Sequence, residues 1–282
     1  ALEYFTMAIE IEPQSDVLFL YRARSYRALA SFELALDDLS RASELSPEKP
    51  LYYIEKANLF IELGRHSEAI TALTGAIELL GDELELYVTR ANEYEKLGQY
   101  GLAANDYSQA LRLDPRNLEL IYRHTLTLIS LEDFEQALNS TRTGFQASED
   151  DARLLVASGD ANLGLGLYEA ALLSYNKALS KPSSELNGSI SLLSDADEAF
   201  QSGDFTTLDN ARSAKTEIHF GRAKALMGLG QYQDALQDFD KAIELVPDPN
   251  PDLYWHRATA RLESICALTS ASSVVEIELA EV

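Results

Sequence analysis

Small residues recur along this chain at a fixed step of thirty-four. Ala23, Ala57, Ala91, Thr125 and Gly159 form one column, and Ala35, Ala69, Ala103, Ala137 and Ala171 a second. A third column holds Ala42, Ala76, Ala110, Gly144 and Ala178. Three phased columns of small side chains require backbones to approach closely at the same places in every unit. A period of this length belongs to stacked units of paired helices, each of which can bury its apolar face only against a neighbour. That expectation replaces the one or two globular cores that 282 residues would otherwise suggest.

Within the units, apolar residues recur at three and four, as amphipathic helices require. A break falls at Leu63-Gly64, Leu97-Gly98 and Leu165-Gly166, where glycine supplies a left-handed cap. Prolines at 47 and 115 stop the second helix of a unit. Residues 1–15 read as the second helix of a truncated repeat, because Ala1, Phe5, Ala8 and Pro13 keep the spacing of Ala35, Leu39, Ala42 and Pro47. Five contiguous units follow over 16–185. Register is then lost, and 186–215 reads as a degenerate repeat or insertion, with SDADEAFQSGDF inside it still resembling a first helix and its turn. The pattern returns over 216–250 with Ala223, Gly230, Ala235, Ala242 and Pro247. Residues 251–282 read as a terminal helix and tail, whose VEIEL end alternates as a short strand or a frayed end would. The chain opens inside a unit and so reads as part of something longer.

The unit YVTRANEYEKLGQYGLAANDYSQALRLDP (87–115) closely resembles the tetratricopeptide repeat, and so does FGRAKALMGLGQYQDALQDFDKAIELVP (220–247). The resemblance covers the chain except about 183–215 and the last twenty or so residues. It implies an all-α, right-handed superhelical solenoid lined inside by first helices. Departures are local: Glu132 stands at a turn glycine, Thr141 at an aromatic, and Gly81 and Glu149 at the proline. They make 118–151 the least typical of the regular units.

In this family the inner face carries ligand contacts. Mapped here, it holds Leu20, Ile54, Val88, Tyr122, Val156, Phe220 and Trp255. Four residues further on, and so on the same helix face, lie Arg24, Asn58, Asn92, Leu126, Asp160, Lys224 and Thr259. Leu20, Ile54, Val88 and Val156 are expected to pack between helices. The candidate groove for a peptide or partner protein is Tyr21, Arg24, Asn58, Asn92, Tyr122, Arg123, Phe220, Lys224 and Trp255. The asparagines would hydrogen-bond backbone and the aromatics would anchor. Co-chaperone members of the family grip a C-terminal carboxylate with two Lys, two Asn and one Arg. No phase of this sequence supplies that set, and Glu119 would repel a carboxylate.

A balance of 23 basic against 46 acidic residues gives a net charge of −23. This argues against nucleic acid, which needs clustered cations, and against an anionic membrane surface. A solvated acidic exterior is the simpler reading, with an acidic platform or adaptation to salt as alternatives. The single Cys266 excludes an intrachain disulfide and favours a reducing, cytoplasmic setting. His66, His124, His219 and His256 are scattered, so no metal site is expected. GLGLYE at 164–169 and GLGQYQ at 228–233 fall at inter-helix turns with no strand before them, which excludes a phosphate loop. No nucleophile–base set and no cofactor site emerge. The expectation is a non-enzymatic interaction scaffold. The alternatives are a recruitment arm of a larger enzyme or signalling protein, or a chain that self-associates through open solenoid ends, at Phe5 and Ile9 or through VEIEL.

Overall fold

The computed structural model describes residues 1–182, 207–246 and 249–280. All regular structure among them is helical, and it falls into two compact units, Ala1–Pro115 and Arg116–Val282.

The first unit holds α1 (Leu2–Ile11), α2 (Asp16–Ala28), α3 (Phe32–Leu45), α4 (Pro50–Glu62), α5 (His66–Leu80), α6 (Leu84–Lys96) and α7 (Tyr100–Leu113). α2 pairs with α3, α4 with α5 and α6 with α7, and each second helix also packs on the next first helix. The second unit holds α8 (Leu118–Ser130), α9 (Phe134–Ala147), α10 (Ala152–Gly164), α11 (Tyr168–Leu179), α12 (Thr207–Gly228), α13 (Tyr232–Leu245) and α14 (Pro251–Ala280). Its hairpins are α8–α9, α10–α11 and α12–α13, with α14 on α13.

The three small-residue columns are the contact lines of these hairpins. Every member from Ala23 to Ala178 is buried, as are Ala223, Ala235 and Ala242. What they admit is bulk from across the pair. A Cβ on Gly159 would lie 2.6 Å from Tyr175 Cε1, and one on Gly221 2.6 Å from Tyr175 Cζ. Tyr175 is thus held between two helix backbones and fully buried, as are Tyr107 and Phe239 in their own hairpins. Large side chains wedged against small ones give interior packing density without bending the helices.

Turn chemistry follows the same period. Gly64, Gly98, Gly166 and Gly230 have φ of +67° to +71°, the left-handed region that glycine enters without steric cost. Ala30 (φ 55°) and Glu132 (φ 57°) adopt that conformation at the equivalent turns, at a cost of about 1 kcal/mol each. Side-chain caps are built at Asn117, Asp133 and Asp151, whose oxygens accept from backbone N–H groups of the following turn.

Two regions differ from the sequence pattern. α12 begins at Thr207, well before the repeat register at 216, and packs directly on α11 and α10. The hairpin α12–α13 therefore stacks straight onto α10–α11; SDADEAFQSGDF lies outside the described residues. The alternating VEIEL segment is helical up to Ala280, as the continuation of α14, and not a strand. Alternation over five residues is a weak cue when an established helix can propagate through it.

Candidate recognition surface

Three hairpins are locked by the same ionic fork. Arg22 Nε and Nη2 donate to the two oxygens of Asp38, each at 2.7 Å. Arg90 does the same to Asp106 at 2.7 and 2.8 Å, and Arg222 to Asp238 at 2.7 and 2.6 Å. The third nitrogen, Nη1, reaches back to the preceding second helix: Thr6 at 3.3 Å, Thr74 at 2.9 Å and Asn176 at 2.6 Å. One side chain thus ties the first helix of a hairpin to second helices on both sides. The aspartates are buried. Burial alone would raise the Asp238 carboxyl, but hydrogen bonds from His219 and Arg222 overcome it and hold the group below its ordinary value. The bidentate geometry fixes the rotation of α2, α6 and α12, and with it the direction of the outward face of each.

In the first unit that face is open on α2 and α4. Tyr21 is 46% exposed and stacks on Phe5, with ring centroids 5.9 Å apart. Val17 is exposed one turn before it on α2, and Leu51 is exposed in the first turn of α4. Arg24 Nε donates to Glu55 at 2.9 Å and Arg27 to Glu62, so two ion pairs bridge α2 and α4. These pairs, with Ala28 and Phe32, line an open cleft of about 510 Å³. Asn58 is exposed on α4, one turn on from Glu55. Asn92, in contrast, is half-buried, and its Oδ1 accepts the Tyr107 hydroxyl at 2.6 Å. Its carboxamide is committed to satisfying a buried phenol, a demand not apparent from spacing alone.

The second unit presents a different face. Tyr122 is buried, and burial pushes its phenol well above the ordinary range; the Arg153 guanidinium lies over its ring at 5.1 Å. It is therefore a core residue here, not an exposed anchor. Arg123 Nε donates to Glu119 at 2.8 Å on its own helix. Phe220 packs against Phe239 and His256, at 6.0 and 5.2 Å between centroids, with the Lys224 ammonium 4.8 Å from its ring. Burial lowers the Lys224 pKa, against the opposing pull of Asp160 and Asp252. Trp255 is 62% exposed and meets His256 in a T-shaped contact, with ring centroids 4.7 Å apart. Glu119, which would repel a carboxylate, instead ties Arg123 to Arg153. The nine candidates are thus divided: Tyr21, Arg24 and Asn58 lie together in one unit with the buried-side Asn92, and the others lie in the second.

Sequence reasoning missed the ionic forks. Their signal was present as a correlation sixteen residues apart: arginine goes with aspartate at 22/38, 90/106 and 222/238, while Lys56, His124 and Ser158 are followed at that spacing by Ala72, Ser140 and Ser174. Among the described residues, no cluster of three or more His, Cys, Asp or Glu side chains could hold a metal ion, and no helix is long and apolar enough to cross a membrane.

Paired helices with a repeating clamp and small-residue contact lines define a helical-repeat interaction protein. Tetratricopeptide repeat models match residues 20–82, 84–117, 122–185 and 216–249, more than half of the chain. The chain belongs to the tetratricopeptide repeat family. No curated protein matches it. Among solved structures it is similar to the C-terminal part of a repeat-containing protein from Cytophaga hutchinsonii, with a TM-score of 0.61, 14% identity, and 90% of this chain and 92% of that one covered. It is also similar to a tetratricopeptide repeat protein from Parabacteroides merdae, with a TM-score of 0.51, 19% identity, and coverage of 88% and 99%. A third is YrrB, described as having an unusual peptide-binding site, with a TM-score of 0.53, 21% identity, and coverage of 64% and 92%. At these identities the likeness is one of fold.

Proposed function

We propose that this protein is a non-enzymatic scaffold that holds an extended peptide segment of a partner against the outward face of α2 and α4. The observation that carries this reading is the exposure of Val17, Tyr21, Leu51 and Asn58 on the adjacent first helices α2 and α4, the first of which the Arg22 fork holds in rotation. A tyrosine and two aliphatic side chains offer apolar anchorage, and a carboxamide offers one donor and one acceptor to a peptide backbone. The Arg24–Glu55 and Arg27–Glu62 pairs flank that strip and disfavour a strongly charged segment of either sign, since docking would strip one partner from each pair.

Selection of peptides from a random library on the full chain tests the proposal. Selected peptides should bind the Tyr21→Ala/Asn58→Ala variant on the order of tenfold more weakly, the loss expected when a central aromatic anchor is removed. Asn92→Ala should instead lower thermal stability, by removing the closer of two acceptors of the Tyr107 hydroxyl and leaving Glu95 Oε2 at 3.1 Å, with little change in peptide affinity. Peptides that bind the double variant as tightly as the parent would refute this site.

A further inference from the structure

The ionic fork recurs with a sequence signature on the helix that closes it. Its aspartate always sits in Ala-x-x-Asp-(Leu/aromatic)-x-x-Ala: Ala35, Asp38, Leu39, Ala42; Ala103, Asp106, Tyr107, Ala110; Ala235, Asp238, Phe239, Ala242. Arginine on a first helix thus predicts this pattern on the helix that covers it.

α14 carries the arginine half alone. Arg257 Nη1 donates to Asp240 of the preceding second helix at 3.0 Å, as Arg22, Arg90 and Arg222 reach back to Thr6, Thr74 and Asn176. Its guanidinium lies over Tyr254 at 5.4 Å, as Arg22 lies over Phe19 at 5.7 Å and Arg90 over Tyr87 at 5.9 Å. Where α2, α4 and α6 break at a turn, α14 runs on as helix, and among the described residues the covering side of the fork is open. The Arg257 side chain is 32% exposed, against 18%, 15% and 20% for its three counterparts. Ala258 continues the column of Ala23, Ala57, Ala91 and Ala223, yet it is exposed where they are buried. Tyr254, Leu262 and Ile265 lie on the same side of the helix and are 44%, 59% and 54% exposed.

We propose that α14 docks an amphipathic helix of a partner protein along Tyr254, Ala258 and Leu262. That helix carries small residues seven apart, an apolar residue between them, and an aspartate that closes on Arg257. Three completed hairpins of this chain supply both the shape of the occupant and the position of its charge. The inference is independent of the peptide site on α2 and α4, and shares no residue with it.

The test uses the full chain and its single tryptophan, Trp255, as the reporter. The probe is a helix-stabilised peptide with the sequence of residues 231–246, in parent, D238N and D238R forms. The parent peptide should change Trp255 emission saturably. Arg257→Asp in the chain, or D238R in the peptide, should weaken binding about tenfold or more, and combining the two reversed charges should restore it. That rescue separates loss of the contact from loss of folding. Absence of a titration, or equal affinity for the parent and D238R peptides, would overturn the proposal. So would concentration-dependent association of the chain alone that blocks the peptide and disappears in Arg257→Asp, which would put a second copy on this face.

Discussion

At the scale of single residues, the fork position shows how one site can be occupied by different chemistry. Where three hairpins use arginine, α8 uses His124, whose Nδ1 lies 3.3 Å from Ser140 Oγ. Burial lowers the His124 pKa to about 4 from an ordinary 6.5. A histidine held neutral in the folded state but free to protonate when unfolded stabilises the protein fully above pH 6.5. Between 6.5 and 4 the unfolded chain binds the extra proton, so stability falls as pH falls. The difference in pKa bounds the loss at roughly 3 kcal/mol. Urea midpoints measured from pH 7.5 to 4.5 should decline for the parent chain and decline less for His124→Gln. Equal slopes would place the acid sensitivity elsewhere, with His256, which burial also shifts down, the next residue to replace.

At the scale of helices and hairpins, the absence of the fork is as informative as its presence. In α4 the equivalent side chain is Lys56, half-buried, with its pKa lowered by burial, and Ala72 on α5 stands at the aspartate position. Lys56→Arg with Ala72→Asp rebuilds the arrangement of Arg22–Asp38, and Ser40 stands where Thr6 and Thr74 receive the third nitrogen in the other forks. Ala72→Asp alone should destabilise, and the double-mutant cycle should show a favourable coupling on the order of 1–3 kcal/mol, read from thermal or urea unfolding. A coupling near zero would mean that the fork depends on neighbours beyond these two positions. The element scale is also where the sequence was most and least legible. The contact lines followed from period alone, because Ala, Gly and Thr at a fixed step leave backbones only one way to meet. Asn92 and Tyr122 misled, because an inner-face position says nothing about whether a phenol needs an acceptor or a second helix layer covers the ring. α14 misled for a different reason: its turn glycine is missing, and helix propagation then overrides a short alternating pattern. The forks were legible only as a pairwise correlation, which no single column of residues displays.

At the scale of the whole molecule, charge is the property that local packing does not settle. A chain of net charge −23 repels itself in the folded state, while its ion pairs attract. Added salt weakens both, so the sign of the response decides which dominates. The buried forks are shielded from salt by their surroundings, with the three aspartates no more than 5% exposed. The pairs that salt does reach, such as Arg41–Glu44 and Arg65–Glu68, are exposed, and water and salt already screen them strongly. Their loss is small against relief of a twofold excess of carboxylates over cations. Melting temperature should therefore rise by several degrees, of the order expected for about 1–2 kcal/mol, as sodium chloride goes from 10 to 300 mM. Neutralising acidic residues outside the forks, for example Glu44→Gln with Glu78→Gln and Glu132→Gln, should flatten that rise. A melting temperature that falls with salt would show that the exposed pairs act as a cooperative network, and that the acidic surface is part of what holds the stacked hairpins together.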